Sequence, residues 1–79
     1  MKRYYNPQQL NYRYKELRLQ HSFTCAQIAE LLNIDESEYI SYENDKPYDM
    51  PLDKFIQLAD LYNVTSGYLI GCTDNPYEP

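Results

Sequence analysis

The side chains best equipped for chemistry lie together between residues 24 and 45. Asp35, Glu36, Glu38, Glu43 and Asp45 carry carboxylates, Ser37 and Ser41 hydroxyls, and Cys25 a thiol. Paired carboxylates do general acid–base work when both face one reacting atom. Glu36 and Glu38 are two apart, and on a helix they face different ways. The chain holds one histidine, His21, and two cysteines, Cys25 and Cys72. They form no nucleophile–base spacing and no metal-ligand cluster, so neither an enzyme, a metal site nor a cofactor is expected. His21 reads as a helix-end residue favoured by the helix dipole. The cysteines are too few and too far apart for zinc and read as ordinary thiols of a reducing cytosol. What the set does well is hydrogen bonding to a partner.

The elements that must position these groups are short helices. Asn6-Pro7 reads as a helix start, after which Leu10, Tyr14, Leu17 and His21 recur on one apolar face. Phe23 is expected to plug the core between helices. Thr24 to Gln27 fits a capping box that opens a second helix, with Ile28, Ala29, Leu31 and Leu32 as its buried stripe. Asn33 suits a left-handed helix end, and Ile34 plugs the turn. Asp35 to Glu38 reads as a second capping box, opening a third helix with Tyr39, Tyr42 and Glu43 on one face. Residues 44–49, NDKPYD, are a loop by composition. Met50-Pro51 starts a fourth helix carrying Leu52, Phe55, Ile56, Leu58, Ala59, Leu61 and Tyr62, which Asn63 ends. Val64 plugs the next turn, Thr65 caps a last helix over residues 66–70, and Gly71 closes it. The expected fold is all-α and compact, with five helices and no internal repeat. The expected layout is an N-terminal arm over residues 1–8, a helical domain over 9–71 and an extended or mobile tail over 72–79.

Composition narrows the partners. Seventy-nine residues allow one domain with one small core, and ten tyrosines supply much of its apolar area. Two glycines leave little room for a phosphate-cradling loop. No apolar run approaches membrane length and residues 1–9 carry no secretory pattern, so a cytoplasmic protein is expected. Net charge is −5. Lys2, Arg3, Arg13, Lys15 and Arg18 crowd the N-terminal part, and afterwards only Lys46 and Lys54 are basic.

In order and spacing the residues resemble the Cro and lambda-repressor family of helix-turn-helix regulators, the XRE type. The words that carry the resemblance are Leu17-Arg18, Thr24-Cys25, Ile28-Ala29, the turn Asn33-Ile34, and Tyr42-Glu43-Asn44-Asp45. The stretch LADLYNVTSGYLIGCTDNP, residues 58–76, adds a likeness to the end of short Gram-positive and phage regulators. The resemblance implies a lambda-repressor-like domain of a bacterial or phage transcriptional regulator, such as a repressor, with double-stranded DNA as partner. It also implies an ion pair between Arg18 and Glu43, and a partly buried guanidinium does favour a bidentate carboxylate.

Carried over position by position, the base-facing residues would be Asp35, Glu36, Ser37, Ile40 and Ser41. Thr24, Cys25, Asn44 and Lys46 would lie along phosphates, with Arg13 and Lys15 at the edge and Lys2 and Arg3 as an arm. Tyr68, Leu69 and Ile70 on the last helix would make a homodimer, with half-sites about 34 Å apart. The chain departs from the family pattern at Cys25 for Gln, Ser41 for Arg and Asp45 for Gly. Residues 19–45 hold no Lys or Arg, although DNA affinity rests largely on neutralising phosphates. The competing reading is an acidic helix-turn-helix module, or antirepressor, that binds another regulator instead of DNA. No small-molecule ligand is evident in either reading.

Overall fold

The computed structural model describes residues 11–77; Asn6, Pro7 and Leu10, expected to open the first helix, lie outside them, as do Lys2 and Arg3. The described residues form five α-helices: α1 (Tyr14–Gln20), α2 (Cys25–Leu32), α3 (Glu36–Asn44), α4 (Leu52–Tyr62) and α5 (Ser66–Leu69). A short 3₁₀ turn, Pro47–Asp49, sits inside the expected loop between α3 and α4. The all-α expectation therefore holds. Residues 11–13 correct it in detail, since they precede α1 instead of belonging to it. Pro51 likewise stands just before α4 in extended conformation.

The helices converge on a small core of Tyr14, Leu17, Ile28, Ala29, Leu32, Tyr39, Tyr42, Met50, Leu58, Ala59, Tyr62 and Leu69. Phe23, Ile34 and Val64 pack against it from the turns, as their positions imply. Leu31 does not belong to the buried stripe: it is 56% exposed on the outer flank of α2, where Ile28, Ala29 and Leu32 already fill the contact. On α4 the apolar face is narrower than the pattern implies, because Leu52 and Ile56 stay in solvent while Leu58, Ala59 and Tyr62 reach the core. Leu69, expected at a dimer contact, is fully buried. A core this small has used it for itself.

One backbone device ends four of the five helices. After α1, Ser22 is left-handed (φ 61°), and the amides of Ser22 and Phe23 donate to the carbonyls of Leu19 and Arg18. After α2, left-handed Asn33 and then Ile34 donate to Glu30 and Ala29; after α4, Asn63 and Val64 donate to Asp60 and Ala59. After α5, Gly71 and Cys72 donate to Tyr68 and Gly67. This paired closure satisfies carbonyls that a helix end leaves open. In the first three cases an apolar plug follows the left-handed residue, and then comes Thr24, Asp35 or Thr65 to open the next helix. Thr24 and Gln27 form the expected reciprocal cap, at 3.1 and 2.8 Å. The second expected box does not form: Asp35 makes no side-chain cap, and the Glu38 carboxylate accepts from the Tyr42 hydroxyl at 2.8 Å instead of reaching back.

The two ends of the described chain are tied together. The Arg13 amide donates to the Leu69 carbonyl at 2.8 Å. Its guanidinium donates to the carbonyls of Tyr68 and Thr73, pairs with Asp74 at 2.9 Å and lies 4.0 Å over the Tyr68 ring. Thr65 donates its amide to the Pro76 carbonyl at 2.8 Å. Residues 72–77 are therefore held against the domain, which corrects the expectation of an extended or mobile tail. Gly71 lies at the centre of this closure with φ +87°, and a Cβ there would stand 2.4 Å from the Asn11 carbonyl oxygen. Gly71→Ala combines a left-handed backbone with that clash and should destabilise the fold by about 2 kcal/mol or more, read from urea unfolding. An unchanged midpoint would show that the two ends do not pack this tightly.

Candidate nucleic-acid interface

α3 is set by a buried ion pair. Arg18 Nε donates to Glu43 Oε2 at 2.6 Å and a terminal nitrogen to Oε1 at 3.1 Å, while the other terminal nitrogen caps the Phe23 carbonyl at 2.9 Å. The side chains are only 11% and 2% exposed. One guanidinium thus joins α1, the α1–α2 turn and α3. The Glu43 hydrogen bond, against the opposing effect of burial, raises the Arg18 pKa above its ordinary value. Cys25 Sγ approaches Glu43 at 4.0 Å, and burial followed by that carboxylate pushes the thiol up. Tyr39 and Tyr62 bury hydroxyls that make no well-formed hydrogen bond. Burial first, and then Glu43, keep the Tyr39 phenol protonated well beyond the usual range.

With Tyr39, Tyr42 and Glu43 turned inward, the rest of α3 presents Ser37, Ile40, Ser41 and Asn44 at helical spacing, with Glu36 at the edge of that face, on the Glu43 side. Glu36, Ser37, Ile40 and Asn44 are exposed and Ser41 is half-buried; Asp35 stands exposed just before the helix. The Ser41 hydroxyl donates to the Glu38 carbonyl at 2.7 Å, and the Asn44 amide nitrogen to the Ile40 carbonyl at 3.1 Å. α3 ends without the left-handed turn of the other helices: Asp45 has φ −126°, and both Asp45 and Lys46 amides donate to Ser41. The Tyr14 hydroxyl braces the following turn through the Pro47 carbonyl at 3.0 Å. That brace, invisible to apolar periodicity, has its only sequence signal in a buried-face residue with a polar tip.

The residues expected along phosphates divide. Thr24, Lys15, Asn44 and Lys46 are exposed, and Lys15 and Glu36 both lie near enough to Cys25 to act on its thiol. Cys25 itself is half-buried and faces Glu43. Arg13 is a correction: its guanidinium is buried and occupied by Tyr68, Thr73 and Asp74. Among the described residues no three His, Cys, Asp or Glu side chains converge on a metal position, and no helix is long and apolar enough to cross a membrane.

Residues 11–73 match a family model described as a helix-turn-helix domain. The chain is 44% identical over 66 residues to the uncharacterized HTH-type transcriptional regulator YobD of Bacillus subtilis (strain 168), covering 81% of this chain and 56% of that one. It is 39% identical over 62 residues to the HTH-type transcriptional regulator ImmR of the same organism, covering 78% of this chain and 48% of that one. The chain thus spans about half the length of these curated relatives. No solved structure matches significantly.

Two measurements check this geometry. Arg18→Ala or Glu43→Ala leaves a buried charge without its partner and should each cost about 3–5 kcal/mol. A double-mutant cycle on unfolding free energy should return a large coupling, and additive effects would contradict the pair. Tyr42 gives a pH signature, since burial and then the Glu38 hydrogen bond raise its pKa from 10.0 to about 12. The unfolded chain loses that proton first, so stability is full below about pH 10 and falls as pH rises toward 12. Tyr42→Phe should flatten part of that alkaline loss in pH-dependent urea melts.

Proposed function

The chain belongs to the helix-turn-helix domain family of XRE-type regulators, and from that premise we propose that it is a DNA-binding transcriptional regulator acting in the cytoplasm. The observation that carries the reading is α3 itself: a helix fixed by a buried bidentate ion pair, with one small, polar face left open to a major groove. α2 then lies across the backbone, with the exposed Thr24 hydroxyl, Lys15, Asn44 and Lys46 as phosphate contacts. Arg13 is left out of that set because its charge is spent inside the fold, and Cys25 because its thiol faces Glu43. Repression at a two-fold operator, through a homodimer, completes the proposal. Within it, Tyr68 and Ile70 are the half-exposed residues of the C-terminal end, and Leu69 takes no part.

Much of the acidity between residues 24 and 45 has an internal cause. Glu43 neutralises Arg18, and Glu38 holds Tyr42. Glu36 and Glu38 occupy the first turn of α3, where the helix dipole favours negative charge. This leaves less of it to argue for a basic protein partner.

Binding of the whole chain to duplex DNA should weaken with salt, the log–log slope reporting the number of phosphates neutralised. Lys46→Ala and Lys15→Ala should each lower affinity evenly across sequences and reduce that slope by about one. Binding with no salt dependence, or none at low salt, would overturn the regulator reading.

A further inference from the structure

The hydrogen-bond inventory of α3 goes further than the groove assignment. Two donors of its outer face bond back to the helix itself. The Ser41 proton serves the Glu38 carbonyl at 2.7 Å, and one Asn44 N–H serves the Ile40 carbonyl at 3.1 Å. Glu38 is engaged by Tyr42 at 2.8 Å. What those bonds leave available is the Glu36 carboxylate, the Asn44 carbonyl oxygen and its second N–H, the acceptor lone pairs of the half-buried Ser41, and the Ile40 side chain, 38% exposed. Ser37 adds a single hydroxyl. Acceptors and one aliphatic side chain dominate the face, and its remaining donors are single ones, the Ser37 hydroxyl and one Asn44 N–H.

Resting on the DNA-binding reading above, we propose that this face selects base pairs presenting an exocyclic amine and a thymine methyl, with Glu36 and Ile40 as the discriminating residues. In the major groove the amine donors are cytosine N4 and adenine N6, and the only methyl is that of thymine. Guanine shows two acceptors, O6 and N7, and is read by a bidentate donor. α3 holds no Arg, Lys or Gln, and one of the two Asn44 N–H groups is already committed to the Ile40 carbonyl, so Asn44 has no second donor with which to bridge O6 and N7. A carboxylate set against O6 and N7 repels them, so Glu36 discriminates against guanine as well as for cytosine. Cytosine is its best partner, because adenine places the N7 acceptor beside its amine. Glu36 and Ile40 are four residues apart, about 6 Å along the helix. Against a base step of about 3.4 Å, the cytosine and thymine contacts fall within about two base pairs of each other.

The experiment is selection of binding sites by the whole chain from a random duplex pool at low salt. The selected site is then measured by anisotropy, alongside a copy with uracil in place of each thymine. The expected half-site has a cytosine within about two steps of a thymine, and uracil at that thymine lowers wild-type affinity about fourfold, the worth of one methyl group. Ile40→Ala should bind thymine and uracil sites alike. Glu36→Gln should lose about tenfold of the preference for cytosine at its position and admit adenine or guanine there. Both residues are exposed, and thermal melts matching the parent establish that the variants are folded. Salt-dependent binding to a guanine-centred consensus, unmoved by Glu36→Gln, would overturn this inference and leave the regulator reading standing. So would indifference to uracil throughout the half-site. An absence of any salt-dependent DNA binding would overturn the regulator reading, and this inference with it.

Discussion

The Arg18–Glu43 pair is the constraint on which the rest of the domain depends. Burying two charges is costly unless they meet each other with well-formed hydrogen bonds. Arg18 satisfies that condition with two bonds to Glu43 and one to the Phe23 carbonyl. The same atoms fix the angle of α3 against α1 and the course of the α1–α2 turn. Rotation of α3 about its axis would withdraw Glu43 from Arg18 and bring Tyr39 and Tyr42 out of the core. The open face of the helix is therefore decided from the inside. Cys25, standing where the family carries Gln, is half-buried with its thiol turned toward Glu43.

Around that pair the chain repeats a left-handed residue, an apolar plug and a capping residue. Ser22-Phe23-Thr24, Asn33-Ile34-Asp35 and Asn63-Val64-Thr65 all follow it. Each turn ends one helix, anchors the connection in the core and frees the next backbone for helix initiation within three residues. α3 is the exception. Its end passes through Asp45, where the family has Gly, without a left-handed step. The loop beyond it is braced by Tyr14 and by the Pro47–Asp49 turn, which positions Lys46 at the end of the candidate interface.

Much of this was legible in the residues, and the reasons differ by element. Helix starts at Thr24 and Thr65 and helix ends at Asn33 and Asn63 rest on local chemistry that needs no tertiary partner. The Arg18–Glu43 pair was implied by family resemblance and by the geometry that guanidinium and carboxylate share. Other features were set at long range. Arg13 reads as a free surface cation until the segment 68–74 folds back onto it. Leu31 fits the helical stripe but has no neighbour to cover it, and Leu69 is claimed by the core. The Glu38 half of the Asp35–Glu38 box is lost to Tyr42, four residues on, which offers Glu38 a hydroxyl. Ser22 gave no compositional hint of its left-handed turn. Side-chain donors on α3 likewise choose backbone carbonyls within the helix, a choice that residue types alone leave open.

The central claim is that α3 presents its outer face to duplex DNA while its inner face is locked by Arg18. Amide chemical-shift mapping of the labelled chain, titrated with a short duplex at low salt, tests it most directly. The account predicts shifts concentrated at the α2 start around Thr24, on Glu36, Ser37, Ile40 and Ser41, and at Lys46, with α4 nearly unmoved. Shifts absent from α3, or confined to α4 and α5, would contradict it.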